Sequence, residues 1–264
     1  MLDILPLQSS YHIAELRIAK PPAHFMDLET LRALRHAYEQ AEAEGWQGLI
    51  LSGVPGFFSS GIDLIPLLQS DVAAVHDYWH AVFDLACAMA RSPIPTIAAI
   101  TGHCLASGTL LALFADYRLM AQGNWGIGLN EVRAGVALPD CFQLPLRRAV
   151  GVRQAEQMLV FGRILTPQQA LNIGLVDELA EPEALLDLAV QRLEALLALP
   201  AHSMRSTRAI SRQDLSNVFT EVDALPVEDF VQAFLDAQTQ TALRRVADEI
   251  VRKATRTGRA VNGP

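Results

Sequence analysis

Short, fully apolar runs alternate with longer amphipathic stretches through the first half of the chain. Gly48-Leu49-Ile50-Leu51 and Pro95–Ile100 lack polar alternation, the mark of strands buried on both faces. Tyr117–Met120 reads as another strand. Ile13, Leu16 and Ile18 supply the apolar positions of two short strands that turn near Ser9-Ser10. Between these runs the period changes to that of a helix. Leu31, Leu34 and Tyr38 share one face of a helix capped by Asp27 and closed by Gly45. Val75, Trp79, Val82, Phe83, Ala86 and Met89 share the face of a second, from Val72 to Ala90. A turn at Gly102 leads into a third, Ala106–Phe114, built of small and aliphatic residues. Strands and helices in alternation predict an α/β domain.

Beyond about residue 135 the pattern is almost wholly helical. The predicted helices are Phe142–Val150, Arg153–Phe161, Pro167–Asn172, Pro182–Leu197, Met204–Gln213 and a broken Val227–Lys253. A loose polar tail, 254–264, follows them. The division is therefore an α/β core, residues 1–195, and a helical C-terminal region, 196–264. Phe230, Phe234 and Leu235 recur at helical spacing, which assigns Val227–Val251 to a subunit interface.

Composition narrows the class. The 264 residues are 51% hydrophobic and 19% charged, too apolar for a disordered chain. A net charge of −8 and the absence of basic runs exclude the basic stripe of a nucleic-acid binder. Cys87, Cys104 and Cys141 are an odd number with no CxxC, which favours a reducing compartment over a disulfide framework. No secretory signal is visible at Met1-Leu2-Asp3, and a cytoplasmic location is expected. Ser92–Ala115 contains no Asp, Glu, Lys or Arg and imitates a membrane span, but Pro93, Pro95, Gly102 and Gly108 interrupt it. A buried strand, turn and helix accounts for it better, so no membrane association is expected.

Most chemical motifs fail on inspection. Gly126-Ile127-Gly128-Leu129-Asn130-Glu131 begins like GxGxxG but carries Glu131 where the last glycine belongs, and no GxxxxGK occurs. His76 and His80, with Asp84 a turn further on, have metal-ligand spacing; a solvated polar stripe explains them as well, and no metal is expected. His103 beside Cys104 reads as turn chemistry. Two segments of small residues are more informative. Ser59-Ser60-Gly61-Ile62-Asp63-Leu64 follows a buried strand, and Gly102–Gly108 runs from a strand into a helix N-terminus. Each can present unpaired N–H groups, and two such donors converging on one oxygen would make an oxyanion hole.

The order of these segments resembles the enoyl-CoA hydratase/isomerase (crotonase) superfamily. The resemblance rests on Phe58–Leu64, Pro95–Gly102, Ala115-Asp116-Tyr117-Arg118, Leu129–Gly135 and Leu165–Asp177, and runs from about Leu5 to Lys253. Ile127–Glu131 and Tyr78–Val82 are most similar to its short-chain 3-enoyl-CoA to 2-enoyl-CoA isomerase branch. The resemblance implies an α/β fold, a crotonase-type spiral of ββα turns, with residues 196–264 as a trimerisation region. It implies a homotrimer or dimer of trimers and an acyl-CoA thioester substrate, as in fatty acid β-oxidation. No separate cofactor is implied, coenzyme A being part of the substrate.

The same resemblance places the thioester oxygen between the backbone N–H groups of Ile62 and Ser107. It assigns coenzyme A contacts to Ser60, Asp63, Leu64 and Lys253, and the acyl pocket to Trp79, Phe83, Leu110, Leu138 and Phe142. Hydratases of the family use two glutamates; here Leu110 occupies the first position and Glu131 the second. Adding water needs two carboxylates, whereas a 1,3-proton shift needs one, so the pattern reads as isomerase with Glu131 as acid/base. Burial among apolar neighbours would raise its pKa. Two alternatives stay open: a hydratase or related reaction using Asp140 as second acid, and a non-catalytic acyl-CoA-binding protein. Ser107 stands where the family usually has glycine, either narrowing the hole or adding a side-chain donor. The family's early-loop Asn is replaced near His24-Phe25-Met26.

Overall fold

The computed structural model describes residues 2–21, 24–219 and 225–256, with side chains as far as 252. The chain opens on an antiparallel pair, β1 (Leu2–Pro6) and β2 (Ile13–Ile18). Helix α1 (Leu28–Gln40) follows, its first turn capped by the Asp27 carboxylate, which accepts the Thr30 N–H at 3.0 Å. Three repeats of a strand pair then succeed one another: β3 (Gly48–Ser52) and β4 (Gly56–Ser59), β5 (Thr96–Ile100) and β6 (Gly102–Leu105), β7 (Tyr117–Ala121) and β8 (Ile127–Gly128). Helices α2 (Leu64–Gln69) and α3 (Val72–Arg91) separate the first pair from the second, and α4 (Ser107–Leu113) the second from the third.

Each pair divides between two sheets. One is six-stranded, in the order β1-β2-β3-β5-β7-β9, with β9 at Glu178–Ala180; the other is β4-β6-β8. Every pairing except β1–β2 is parallel. This is the expected spiral of ββα turns, one strand of each turn entering each sheet. Strands β3 and β5 are buried at every position, as their unbroken apolar runs require.

The small sheet was hidden from the periodicity. Residues 102–105 read as a turn but form β6, and β8 has only two residues, too few for an alternation to register. Gly102 permits the crossing: a Cβ there would lie 2.0 Å from the Gly56 carbonyl carbon.

After β8 come a 3-10 turn (Glu131–Ala134) and helices α5 (Asp140–Val150), α6 (Val152–Phe161) and α7 (Pro167–Asn172). Beyond β9 lie α8 (Leu185–Leu197), α9 (Ala201–Ser211), α10 (Gln213–Val218), α11 (Val227–Leu235) and α12 (Ala237–Arg256). The predicted break in the last helix falls at Asp236. Arg208 and Arg212 tie α9 to the spiral by meeting the Asp116 carboxylate at 2.9 and 3.1 Å, while Asp116 also accepts the Thr96 N–H. This network gives Asp116 of the Ala115–Arg118 motif a structural role.

Two of the three side chains on which the subunit interface was argued face inward. Phe230 and Phe234 are buried within their own chain, against Trp79 of α3, with ring centroids 4.7 and 5.3 Å apart from it. Their helical spacing marked an apolar face correctly, but spacing cannot say which surface covers that face. The same core joins Leu215, Phe219 and Leu243 to the spiral. Residues 254–256, expected in a loose tail, instead continue α12, while 257–264 and the Lys253 side chain lie outside the described residues.

Candidate active site

The three parallel strands of the small sheet end side by side, and each delivers one expected group just past its C-terminal end. Ile62 comes three residues after β4, Ser107 two after β6 and Glu131 three after β8. The carboxyl ends of parallel strands are where α/β sheets place their ligands.

Both residues expected at the hole, Ile62 and Ser107, follow a backbone turned to positive φ. Gly61 has φ +92°, and Ala106 has φ 51° with ψ −124°, a conformation that costs an L-residue about 1–3 kcal/mol. The two loops abut: a Cβ on Gly61 would lie 3.1 Å from the Ala106 Cβ and 3.2 Å from the Leu105 carbonyl oxygen. Gly61 donates its N–H to Ser59 Oγ, and its carbonyl accepts from Met26. Ser107 opens α4, so its N–H has no intrahelical acceptor. Among the described residues no loop hydrogen bond engages either the Ile62 or the Ser107 N–H.

The Ser107 hydroxyl is enclosed without a partner, and Gly61 is its neighbour, 3.6 Å from Oγ to a Cβ placed there. The side chain therefore sits between the two loops. A buried hydroxyl left unsatisfied costs about 1–3 kcal/mol, which a ligand acceptor would relieve.

Thr109 fixes the third group relative to the first two. Its Oγ1 accepts the Gly128 N–H at 3.1 Å and lies 2.5 Å from the Cys104 carbonyl oxygen, while Ala106 donates to the Gly128 carbonyl at 2.9 Å. The end of β8, and hence the start of the Glu131 turn, is fastened to the start of α4.

Glu131 as a residue is half-buried, yet its carboxylate tip is turned inward and Oε2 has neither exposed surface nor a hydrogen-bond partner. Burial pushes its carboxyl up to about 7, opposed only by N–H bonds of its own turn. Beside it lies a cavity of about 370 Å³ lined by Leu129, Val136, Leu138, Gln143 and Leu159, among others. Leu110 is buried on α4, so no second carboxylate stands at that position.

Other expected residues fall in different places. Ser60 and Asp63 are half-buried at the β4 loop and Leu64 is buried at the start of α2. Burial raises the Asp63 carboxyl, and Lys20, which also pairs with Asp27, opposes the shift. Lys20 brings a cation to this mouth; the sequence held no pattern that marked it. Trp79, Phe83 and Phe142 form a closed aromatic cluster with Phe230, in which Phe83 and Phe142 centroids are 4.5 Å apart. Of the five expected acyl-pocket residues, only Leu138 lines the cavity beside Glu131. Asp140 is 78% exposed and pairs at 2.7 Å with Arg147, itself a lining residue of the cavity beside Glu131. His103 accepts the Gly126 N–H through Nδ1, the turn chemistry expected of it. Asp84 pairs with Arg35 rather than with the histidines.

Residues 8–250 match the family model described as enoyl-CoA hydratase/isomerase, and the chain belongs to that family. It is 32% identical over 242 residues to human enoyl-CoA delta isomerase 1, mitochondrial, spanning 90% of this chain and 80% of that protein. The mouse protein of the same name is 30% identical over 244 residues, 91% of this chain and 84% of its own. The crystal structure of human mitochondrial delta3-delta2-enoyl-CoA isomerase superposes with a TM-score of 0.90 at 29% identity, covering 96% of this chain and 98% of that one. The chain is thus an enzyme of the enoyl-CoA hydratase/isomerase family with the crotonase fold. Among the described residues no helix is long and apolar enough to cross a membrane.

Proposed function

We propose that this enzyme isomerises 3-enoyl-CoA to 2-trans-enoyl-CoA through a thioester enolate, with Glu131 as the acid and base. The observation that carries the reading is the Glu131 carboxylate, the one lining the cavity with an enclosed and unpartnered oxygen among the described residues, with Leu110 where a second would stand. The ionised Glu131 removes a proton from C2. The C–H electron pair moves into the C1–C2 bond, and the thioester oxygen takes up negative charge. Ile62 and Ser107 N–H groups stabilise that oxygen, and such preorganised donors contribute most of the rate in reactions of this kind. The same carboxyl then returns the proton to C4 as the double bond moves from C3–C4 to C2–C3. A pKa near the working pH suits both transfers. The reaction draws on no group beyond the substrate's own coenzyme A. The orphaned Ser107 hydroxyl supports a third donor to the oxygen.

Ser60, Asp63 and Leu64 stand at the loop that would meet coenzyme A, and we extend that surface to Lys20; the expected contact of Lys253 falls on a side chain outside the described residues. Trp79, Phe83 and Phe142 would bound the acyl tail only if α11 yields. A homotrimer is supported by the apolar side chains that α6 leaves uncovered, Val152, Val160 and Phe161, at 70, 63 and 69% exposure. A role in fatty acid β-oxidation in the cytoplasm fits the relatives' chemistry, although the human relative's name is mitochondrial.

The test is to incubate the enzyme separately with 3-hexenoyl-CoA and 2-hexenoyl-CoA. Isomerisation of the first without hydration of the second supports the reading. Hydration of the second would shift it to a hydratase, and binding without either reaction to an acyl-CoA-binding protein.

A further inference from the structure

His76 and His80 share one face of α3, and the fold brings to them a third ligand that the sequence could not show. Glu228, in the first turn of α11, places Oε2 3.4 Å from His76 Nδ1 and Oε1 3.3 Å from His80 Nε2. One ligand atom from each of the three lies within 4.8 Å of the others. For a tetrahedral zinc with bonds of about 2.0–2.1 Å, neighbouring ligand atoms stand about 3.3–3.4 Å apart. The two contacts have that length but use different Glu228 oxygens, so the carboxylate and the two rings, whose centroids stand 6.4 Å apart, must rotate to bring one ligand atom of each residue onto the ion.

We infer that His76, His80 and Glu228 form a binding site for zinc or a similar borderline divalent cation, clipping α11 to α3. Two imidazoles and one carboxylate are the donor set such ions prefer. Side-chain exposures of 26, 51 and 64% leave room for water to complete the shell and for the ion to enter. The i, i+4 spacing presents both histidines from one rigid helix, so little ordering is needed on that side. No cation of the protein competes for the carboxylate among the described ion pairs. Arg35 pairs with Asp84 and Glu39, and Arg32 with Asp77. The expectation of no metal rested on a solvated polar stripe along α3, and the fold sets Glu228 of another helix against that stripe.

The position gives the clip a consequence. Glu228 precedes Phe230 by two residues, and Phe230 packs on Trp79 between the two histidines of α3. An ion held there would pin α11 over the aromatic cluster. The inference does not depend on the isomerase reading, because the site is separate from Glu131.

Untagged enzyme, stripped with chelator, would be titrated with zinc sulfate by calorimetry and followed by thermal unfolding. One ion per chain and a raised midpoint are expected. His76→Ala and Glu228→Gln should each weaken binding by at least the roughly 10–100-fold that loss of even a supporting group costs a metal site. His202→Ala should leave it unchanged. Cobalt substitution should give the absorption of a nitrogen- and oxygen-ligated ion, lost in His80→Ala. Zinc binding of equal strength in all variants, or no binding, would overturn the inference. These readouts do not use turnover, so they stand or fall apart from the reaction.

Discussion

Gly61 and Ala106 face each other across the gap between two loops, both at positive φ, with only a hydrogen on one of them. Each orients the N–H that follows it. The pair therefore sets the spacing of the Ile62 and Ser107 donors. Gly61→Ala should destabilise the fold by about 1–3 kcal/mol, through backbone strain and the 3.1 Å contact, and lower kcat/KM more than it raises KM. Ala106→Gly relieves strain at the same turn and should keep activity within a few-fold. Thermal unfolding and initial rates check both. A fully active Gly61→Ala enzyme would show that the hole does not depend on this spacing.

Glu131→Gln keeps size and loses the base. General acid–base groups contribute about 10²–10⁴-fold, so isomerisation should fall by at least that range while an acyl-CoA product still binds. Unchanged turnover would remove Glu131 from the reaction.

The raised carboxyl also sets a pH dependence. With a pKa of about 7, Glu131 is increasingly protonated below neutrality, and kcat/KM should drop about tenfold per pH unit there. Stability moves the other way. Because the folded pKa exceeds the unfolded one, the group's stabilising contribution is complete below the unfolded value and is lost as pH rises through about 7. Glu131→Gln should therefore gain in melting temperature over the parent at pH 8 and show little gain at pH 4. A pH-independent difference would contradict the burial of an ionisable carboxyl.

Asp116 holds two arginines and one backbone N–H, so Asp116→Asn leaves Arg208 and Arg212 poorly neutralised. Breaking a buried pair of this kind costs about 3–5 kcal/mol. Denaturant unfolding should show that loss, while surviving folded enzyme keeps its KM.

Thr109→Val removes the hydroxyl that joins β8 to α4 but preserves shape. We expect a lower kcat with a nearly unchanged KM, since the Glu131 carboxylate is displaced relative to the hole while binding loops persist. The pH profile should move as its enclosure changes. A variant that merely loses stability, with kcat and profile intact, would demote Thr109 to packing.

The long elements were legible because their burial has a period. Gly48–Ser52 and Thr96–Ile100 are buried on both sides, and α3 shows its face over many turns. Strands β6 and β8 were not legible: two to four residues cannot display a period, and their pairing is made by distant segments. The positions of Ile62, Ser107 and Glu131 came from resemblance; composition and spacing alone left them as turns. Two features needed the folded chain. The orientation of Phe230 and Phe234 toward Trp79, and of Glu228 toward the histidines, depends on how α11 returns, which no local pattern encodes.

The small sheet collects one chemical group from each of three successive coils of chain, so no shorter stretch of sequence owns the reaction centre. A polypeptide emerging from the ribosome would stay catalytically silent until the third coil has closed onto the second. For the same reason, two fragments severed between α3 and β5 could report their own reassembly, since turnover would return only when both halves dock. The architecture makes activity an all-or-none record of whether the coil has been wound to completion.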